Sequence, residues 1–241
     1  HDDVPTNDEG SASVYRLGRT FNDTDRFLQA TGSHDGAFYG QFVSAIGDVN
    51  GDSVGDYIVS APEEINLAGN GTCYVYSGLD RSQIRTHDEQ HYSGFPNGPA
   101  SFGTGCVGLD DVDGDQVPDY AIGATGFPVG FTKGGMTIFS GSTGNVFLHR
   151  EFDNDDQAHE VCGVGDVNGD GKTDVGVSFR EEFVGTRRPQ LIIYESVSLN
   201  VLRIHNMPYD SYVDSETLGD LNNDGRSEYV AVSYTHLRAH E

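Results

Sequence analysis

One pattern of acidic and amide residues, nine residues long, occurs four times in this chain of 241 residues. The copies span 48–56, 111–119, 166–174 and 220–228, and we call them loops 1 to 4. Each loop has an oxygen-bearing side chain at positions 1, 3, 5 and 9, and glycine or asparagine at position 4. Clustered carboxylate, amide and backbone carbonyl oxygens are the ligands that calcium prefers in proteins. The pattern therefore predicts up to four Ca2+ sites.

In each predicted site the ligands are the side chains at positions 1, 3, 5 and 9 and the backbone carbonyl at position 7, where the residue type varies freely. The predicted ligands are Asp48, Asn50, Asp52, Val54 and Asp56 in loop 1; Asp111, Asp113, Asp115, Val117 and Asp119 in loop 2; Asp166, Asn168, Asp170, Lys172 and Asp174 in loop 3; and Asp220, Asn222, Asp224, Arg226 and Glu228 in loop 4. Thirteen of these residues carry a carboxylate. Because neighbouring carboxylates repel one another, each loop is expected to need a counter-ion, and we predict that the calcium is structural.

An EF-hand opens with the same spacing but requires a bidentate glutamate at position 12. Position 12 is Val59, Ile122, Val177 or Ala231, each inside a run typical of a strand. The carboxylate at position 9 takes the place of that glutamate, which predicts a calcium loop within a β-hairpin. A solvated acidic turn is the alternative for any single copy, but four copies with matched positions favour metal loops.

The segments around the loops predict strands at corresponding places. A short apolar stretch with spaced glycines precedes each loop, and a run rich in β-branched or aromatic residues follows it. These strand-like runs are 57–60, 120–123, 175–178 and 229–231 directly after the loops, then 73–76, 136–139 and 191–194, then 146–149 and 201–205. The loops start 63, 55 and 54 residues apart, which is room for four short strands per repeat. No stretch of helical periodicity interrupts them, so the predicted fold class is all-β.

The residues that flank the loops resemble the FG-GAP repeats of the integrin α-subunit N-terminal propeller and of related bacterial surface proteins. Phe102-Gly103 precedes loop 2 and Phe42 precedes loop 1, while Ser60–Pro62 and Gly123–Thr125 stand where the Gly-Ala-Pro element would be. Loops 3 and 4 lack clear copies of both elements. The resemblance implies a β-propeller with its calcium loops between the first and second strands of each blade.

This resemblance also implies how the chain is divided. A complete propeller of this family usually has seven blades, and this chain would be a partial β-propeller of about three and a half four-stranded blades. The propeller segment is predicted to cover residues 1–231, with blades starting near residues 40, 101, 159 and 213 and the tail of a preceding blade at 13–30. Residues 232–241 resemble the in-frame translation of a transposase adapter used in sequencing libraries, and they are interpreted as an artefact.

Composition excludes several functions. The formal net charge of -24 would repel a phosphate backbone, so no nucleic acid is expected as a partner. No apolar run approaches the ~18 residues of a membrane span, so direct membrane insertion is not expected. Cys73, Cys106 and Cys162 fit no disulfide or zinc framework and are predicted to be buried free thiols.

Histidines and other catalytic residue types do not form a recognisable catalytic motif, so the chain is predicted not to be an enzyme. His87 and His91 stand four residues apart, as zinc ligands on a helix would, but we expect this segment to be a surface loop between strands.

The resemblance implies an extracellular or cell-surface module that serves adhesion or the recognition of a protein or glycan ligand. The ligand would bind on the face opposite the calcium loops, where the predicted connections 61–70, 125–133 and 180–188 differ in length and composition. Arg187 and Arg188 are conspicuous there in so acidic a chain. The alternative is an accessory propeller of a larger secreted hydrolase or phospholipase whose catalytic domain lies outside this chain.

Overall fold

The structure is a computed structural model and describes residues 11–15, 26–31, 36–65, 70–88, 100–126, 134–152, 158–179, 189–208 and 211–235. Within these ranges the chain forms sixteen strands and no helix. The strands are β1 (Ser11–Tyr15), β2 (Arg26–Thr31), β3 (Val43–Gly47), β4 (Asp56–Ile65), β5 (Asn70–Tyr76), β6 (Gln83–Asp88), β7 (Ala100–Gly108), β8 (Tyr120–Gly126), β9 (Gly135–Phe139), β10 (Val146–Glu151), β11 (Ala158–Gly165), β12 (Asp174–Phe179), β13 (Gln190–Tyr194), β14 (Val201–Asn206), β15 (Ser211–Gly219) and β16 (Glu228–Thr235).

Consecutive strands pair antiparallel into separate sheets. Three sheets have four strands each, in the orders β3-β4-β5-β6, β7-β8-β9-β10 and β11-β12-β13-β14. A β1–β2 hairpin precedes them and a β15–β16 hairpin follows. Every strand-like run predicted from the sequence lies within one of these strands, so the predicted all-β class is confirmed. The sequence analysis did not identify β6 as a strand.

The sheets stack face to face, and the apolar core lies between them. One cluster joins the first and second four-stranded sheets and includes Ile58 and Tyr120; another joins the second and third and includes Ala121 and Val177. Because successive side chains of a strand point to opposite faces, Tyr120 and Ala121 serve two different clusters. The middle strands are therefore covered on both faces, and every residue of β9 and β12 is buried. Four-stranded sheets stacked in this way are the blades of a partial β-propeller.

The first strands of the sheets approach one another closely, which explains their glycines. A Cβ atom on Gly108 in β7 would lie 2.2 Å from the carbonyl oxygen of Ala45 in β3. A Cβ on Gly105 would lie 2.4 Å from the backbone nitrogen of Val161 in β11. Both distances are shorter than van der Waals contact, so the inner strands can converge only where side chains are absent.

The inner strands β3, β7, β11 and β15 together line a cavity of about 430 Å³. Its wall carries the carboxyl groups of Glu160, Asp214 and Glu216, as well as Cys162, whose Sγ lies 2.8 Å from the hydroxyl of Ser215. Burial, together with the negative charges of Asp214 and Glu216, raises the pKa of Glu160 to about 7. The cavity is thus a strongly acidic space along the axis of the blades.

Histidines of the fourth strands connect neighbouring blades. His87 in β6 is buried, and its Nε2 lies 2.7 Å from the hydroxyl of Tyr120 in the next sheet. His205 in β14 and Tyr229 in β16 repeat this pair at 2.5 Å. The expectation that His87 lies in a surface loop is therefore wrong: its ring packs in the core 4.1 Å from that of Phe139, centroid to centroid. His91 lies outside the described residues.

Two further expectations concern cysteines and the last residues. Cys73 and Cys106 are buried free thiols in strands, as predicted, and Cys162 is half-buried. Strand β16 continues to Thr235, and Val232 pairs with Asp214, so the last strand extends into the segment interpreted as an artefact. Among the residues that the structure describes, no helix is long and apolar enough to cross a membrane.

Candidate metal loops

Each of the four loops connects the first strand of a sheet to the second. Loop 1 lies between β3 and β4, loop 2 between β7 and β8, loop 3 between β11 and β12, and loop 4 between β15 and β16. This is the place that the family resemblance implies. All four loops consequently lie at the same end of the stacked sheets.

Backbone N–H groups hold the carboxylate at position 1 inside its loop. In loop 1, Oδ1 of Asp48 accepts hydrogen bonds from the N–H groups of Gly51 at 2.7 Å and Asp52 at 3.1 Å, and Oδ2 accepts one from Ser53 at 2.7 Å. Desolvation raises the pKa of Asp48, but these hydrogen bonds outweigh it and leave the pKa below its usual value. The hydrogen bonds therefore favour the charged form of Asp48.

The side chains at positions 3 and 5 are fixed in the same way in all four loops. The side-chain oxygen at position 3 accepts a hydrogen bond from the N–H of position 5 at 2.8–3.0 Å. The carboxylate at position 5 accepts one from the N–H of position 7, also at 2.8–3.0 Å. These bonds hold the side-chain oxygens of positions 3 and 5 against the backbone of their own loop.

The turn requires two residues with left-handed backbone conformation. At position 4 the φ angle lies between 59° and 86°, as the glycine or asparagine there predicts. Position 6 is also left-handed, including Ser53 at 68° and Gln116 at 74°. The sequence analysis missed position 6, because only loops 3 and 4 mark it with glycine.

The carboxylate at position 9 is the buried one among the predicted side-chain ligands of each of the first three loops. Asp56, Asp119 and Asp174 are each at most 1% exposed. One oxygen of each accepts a hydrogen bond from the N–H of position 2 at 2.7–3.0 Å. The other oxygen of Asp56 and of Asp119 accepts one from Gly78 or Gly141, in the turn between the third and fourth strands. Desolvation raises the pKa of both groups, so burying their charge is unfavourable without a compensating cation.

Loop 3 provides the clearest evidence for a missing partner. Oδ1 of Asp174 is buried and has no hydrogen-bond partner. The N–H of Ser196 favours the charged form, although it does not reach hydrogen-bond geometry. Burial, and then the negative charge of Asp170 and Asp166, raises the pKa of Asp174 to about 6. A bound cation would satisfy this oxygen and offset the repulsion.

Loop 2 places three carboxylates closest together. One oxygen each from Asp111, Asp113 and Asp115 lies within 4.8 Å of the others, which is compatible with a single cation between them. The hydroxyl of Ser142 donates a hydrogen bond to Asp115 and lowers the pKa of that carboxyl. The donor set fits calcium, which takes oxygen ligands of this kind in flexible geometry.

Of the predicted ligands, the structure brings one oxygen each of Asp111, Asp113 and Asp115 within 4.8 Å of one another, and no other group of three carboxylate, histidine or cysteine side chains among the described residues meets this distance. If calcium binds, the residues that would hold it are those predicted from the sequence, and it would supply positive charge that lets the carboxylates lie together. Loop 4 is the most exposed. Its Glu228 accepts hydrogen bonds from the N–H of Leu221 at 2.7 Å and from the amide of Asn222 at 2.8 Å.

The apolar residue at position 2 anchors a loop to the following blade. Val49 and Val112 are buried, and a Cβ on Gly141 in the following sheet would lie 3.1 Å from Val49. Val167 is half-buried and packs in a cluster with Tyr229. Leu221 is 67% exposed, because its hairpin is the last sheet of the chain.

The recognition face is predicted at the opposite end of the sheets. The turns between third and fourth strands contact loops 1 and 2 through Gly78 and Gly141, so the second strands run from the loops toward the other end. Residues 66–69, 127–133 and 180–188 of the connections between second and third strands, with Arg187 and Arg188, lie outside the described residues.

Comparison with known proteins finds integrin α subunits among the relatives by sequence. No protein-family model matches the chain. It is 27% identical to mouse integrin alpha-2 over 180 residues, which cover 73% of this chain and 14% of that protein. It is 36% identical to Drosophila melanogaster integrin alpha-PS2 over 98 residues, which cover 39% of this chain and 7% of that protein. It is 30% identical to human integrin alpha-11 over 120 residues, which cover 49% of this chain and 10% of that protein. The chain thus spans a small part of the length of these relatives.

Among solved structures, the Dos1 propeller matches with a TM-score of 0.46 and 13% identity, over 83% of this chain and 43% of that one. Bacillus licheniformis rhamnogalacturonan lyase PL11 matches with a TM-score of 0.49 and 14% identity, over 93% of this chain and 44% of that one. Likenesses this distant say nothing about what the chain binds. The sequence matches and the stacked four-stranded sheets confirm that the chain resembles the FG-GAP-type β-propeller of integrin α subunits.

Proposed function

We propose that this chain is a calcium-braced β-propeller module of an extracellular or cell-surface protein, and that it serves adhesion or recognition and not catalysis. Calcium is structural in this proposal: one ion per loop cross-links the ligand positions of the turn between the first and second strands. The observation that carries the proposal is the buried Oδ1 of Asp174, which has no hydrogen-bond partner in a loop that holds two further carboxylates, Asp166 and Asp170.

The surroundings of the loops support a bracing role. Position 9 begins the second strand in loops 1, 3 and 4 and directly precedes it in loop 2. In loops 1 and 2 it also accepts a hydrogen bond from the turn between the third and fourth strands. An ion held by positions 1, 3, 5, 7 and 9 would tie these parts of a blade together. Extracellular calcium modules bind at about 10⁻⁴–10⁻³ M, and similarity to integrin α subunits favours such a calcium-rich location.

The distribution of histidines supports a binding role over catalysis. His87, His149 and His205 lie in three different fourth strands, and each is hydrogen-bonded to a core tyrosine or threonine. They are thus used to hold blades and strands, and they do not converge on one reaction centre with a nucleophile.

Isothermal calorimetry with CaCl2 tests the metal part of the proposal. We expect about one ion per loop, up to four. Alanine at position 5 of every loop (Asp52, Asp115, Asp170 and Asp224) should abolish the binding heat, while alanine at the exposed residues Asp80 and Ser82, outside the loops, should leave it unchanged. Unaltered heats after the four loop substitutions would contradict the proposal.

The ligand is proposed to be a protein or glycan that binds the connections between second and third strands. Binding of the chain to panels of immobilised matrix proteins and glycans tests this part. Charge reversal at Arg187 and Arg188 should reduce capture, whereas charge reversal at Arg81, which is exposed between β5 and β6 on the side of the calcium loops, should not. The reverse pattern would place the ligand on the calcium face.

A further inference from the structure

Loops 2 and 3 are in direct contact although they belong to different blades. The N–H and the hydroxyl of Thr173, at position 8 of loop 3, both donate to Oδ2 of Asp110, at 2.7 and 2.9 Å. Nζ of Lys172, at position 7, donates to the backbone carbonyl of Asp111. Asp111 is position 1 of loop 2, and Asp110 directly precedes it.

Contacts of the same kind join the other neighbouring loops. The N–H of Ser227, at position 8 of loop 4, donates to the carbonyl oxygen of Asp166, position 1 of loop 3, at 2.5 Å. Pro118, at position 8 of loop 2, packs on Gly47 before loop 1, where a Cβ would lie 2.7 Å from the proline ring. Position 8 of each later loop therefore contacts the start of the loop before it.

We propose that these contacts couple the calcium loops in series, so that loading loop 3 favours loading loop 2. The inference rests on the proposed calcium function. The position-7 carbonyl of a loop is one of its predicted ligands, and position 8 lies between two ligand positions. An ion in loop 3 therefore fixes Lys172 and Thr173, and these two residues hold Asp110 and Asp111 in the orientation that loop 2 needs.

Coupling is reciprocal, because the free energy that one site contributes to the other is the same in both directions. It is strongest between loops 2 and 3. The residue before position 1 is glycine in loops 1, 3 and 4, namely Gly47, Gly165 and Gly219, each with φ between 71° and 75°. Only Asp110 can accept hydrogen bonds there with a side chain.

The test uses the full chain with loops 1 and 4 silenced by Asp52→Ala and Asp224→Ala, so that calcium titration calorimetry reports on loops 2 and 3 alone. We expect two ions to bind, and the first should raise the affinity of the other loop about fivefold, which is within the usual range of coupling between sites. Asp110→Ala should lower this factor by at least half, since only the contact of Lys172 with the carbonyl of Asp111 then remains. Asp110→Asn should retain it, because asparagine keeps an acceptor oxygen, and both substitutions remove the same charge.

The results separate the coupling from the calcium function itself. Two ions that bind independently before any change at Asp110, or equal coupling in the alanine and asparagine variants, would overturn the coupling and leave the calcium sites standing. Absence of any calcium binding would overturn both. If the Asp110 variants fail to fold, Thr173→Val and its hydroxyl-bearing control Thr173→Ser provide the same comparison: the valine variant should lose at least half of the coupling, and no difference between the two would overturn it.

Discussion

Single residues differ between the loops in ways that should set their affinities. Position 3 is an aspartate only in loop 2, where Asp113 brings the number of carboxylates to four; the other loops have asparagine there and three carboxylates. The number of charged ligands is one of the factors that tune calcium affinity in oxygen-ligand sites. Loop 2 is therefore expected to bind calcium most tightly.

Exchange of the position-3 residues tests this ranking. Asp113→Asn should weaken loop 2 by roughly tenfold, and Asn50→Asp should strengthen loop 1 by a similar factor, because each changes one carboxylate. Both affinities can be measured by calcium titration in chains whose other three loops carry alanine at position 5. Unchanged affinities in both variants would show that charge at position 3 does not set the ranking.

The sequence identified positions 1, 3, 5 and 9 because oxygen-bearing side chains repeat there. It could not identify the left-handed position 6, where Ser53 and Gln116 stand in place of glycine. It also could not show that position 9 is buried in loops 1 to 3 while the side chains at positions 1, 3 and 5 are half-buried or exposed, since that depends on how a neighbouring turn covers Asp56 or Asp119.

Among the structural elements, the fourth strands hold neighbouring blades together through histidine–tyrosine pairs. The pair His87–Tyr120 is fully buried, and the tyrosine hydroxyl also interacts with Arg85. The pair His205–Tyr229 has the same hydrogen bond but is half-exposed.

Removal of each tyrosine hydroxyl should therefore have unequal effects. Tyr120→Phe should lower the free energy of unfolding by about 1–3 kcal/mol, since it deprives a buried imidazole nitrogen of its partner. Tyr229→Phe should cost less than about 1 kcal/mol, because water can replace the hydroxyl. Thermal melting in saturating calcium measures both, and equal shifts would contradict an inter-blade role for the buried pair.

The periodicity of apolar residues predicted the strands that form the blade centres, such as β9 and β12. It did not reveal β6, whose sequence Gln-Ile-Arg-Thr-His-Asp contains mostly polar residues. An outer strand has few neighbours on its faces and needs few apolar side chains. His87 was consequently interpreted as a loop residue, although cross-sheet packing buries it.

At the scale of the whole molecule, four sheets contribute to the acidic cavity along the axis. Because the pKa of Glu160 in the folded chain is about 7, above the ordinary value near 4.5, the folded state binds its proton more tightly than the unfolded state. The stability that the protonated carboxyl of Glu160 contributes is present below pH 4.5 and is lost as the pH rises through 7.

Glu160→Gln should therefore stabilise the chain at pH 8 and change little at pH 5. Allowing for solvent screening in the cavity, we expect about 1 kcal/mol at pH 8, or roughly 2–4 °C in Tm. An equal effect of Glu160→Gln at both pH values would mean that ionisation of the Glu160 carboxyl does not destabilise the folded chain. This cavity could not be predicted from the sequence, since Glu160, Asp214 and Glu216 meet only through the stacking of two blades.

The central claim is that calcium braces the blades, and thermal melting of the chain in 5 mM CaCl2 and in excess EDTA tests it most directly. We predict a Tm higher by at least roughly 10 °C in calcium, since several ions each stabilise the folded state by mass action. The alanine variant at position 5 of all four loops should melt at one temperature in both solutions. The same Tm for the unaltered chain in calcium and in EDTA would contradict the account, because the loops would then close without a metal ion.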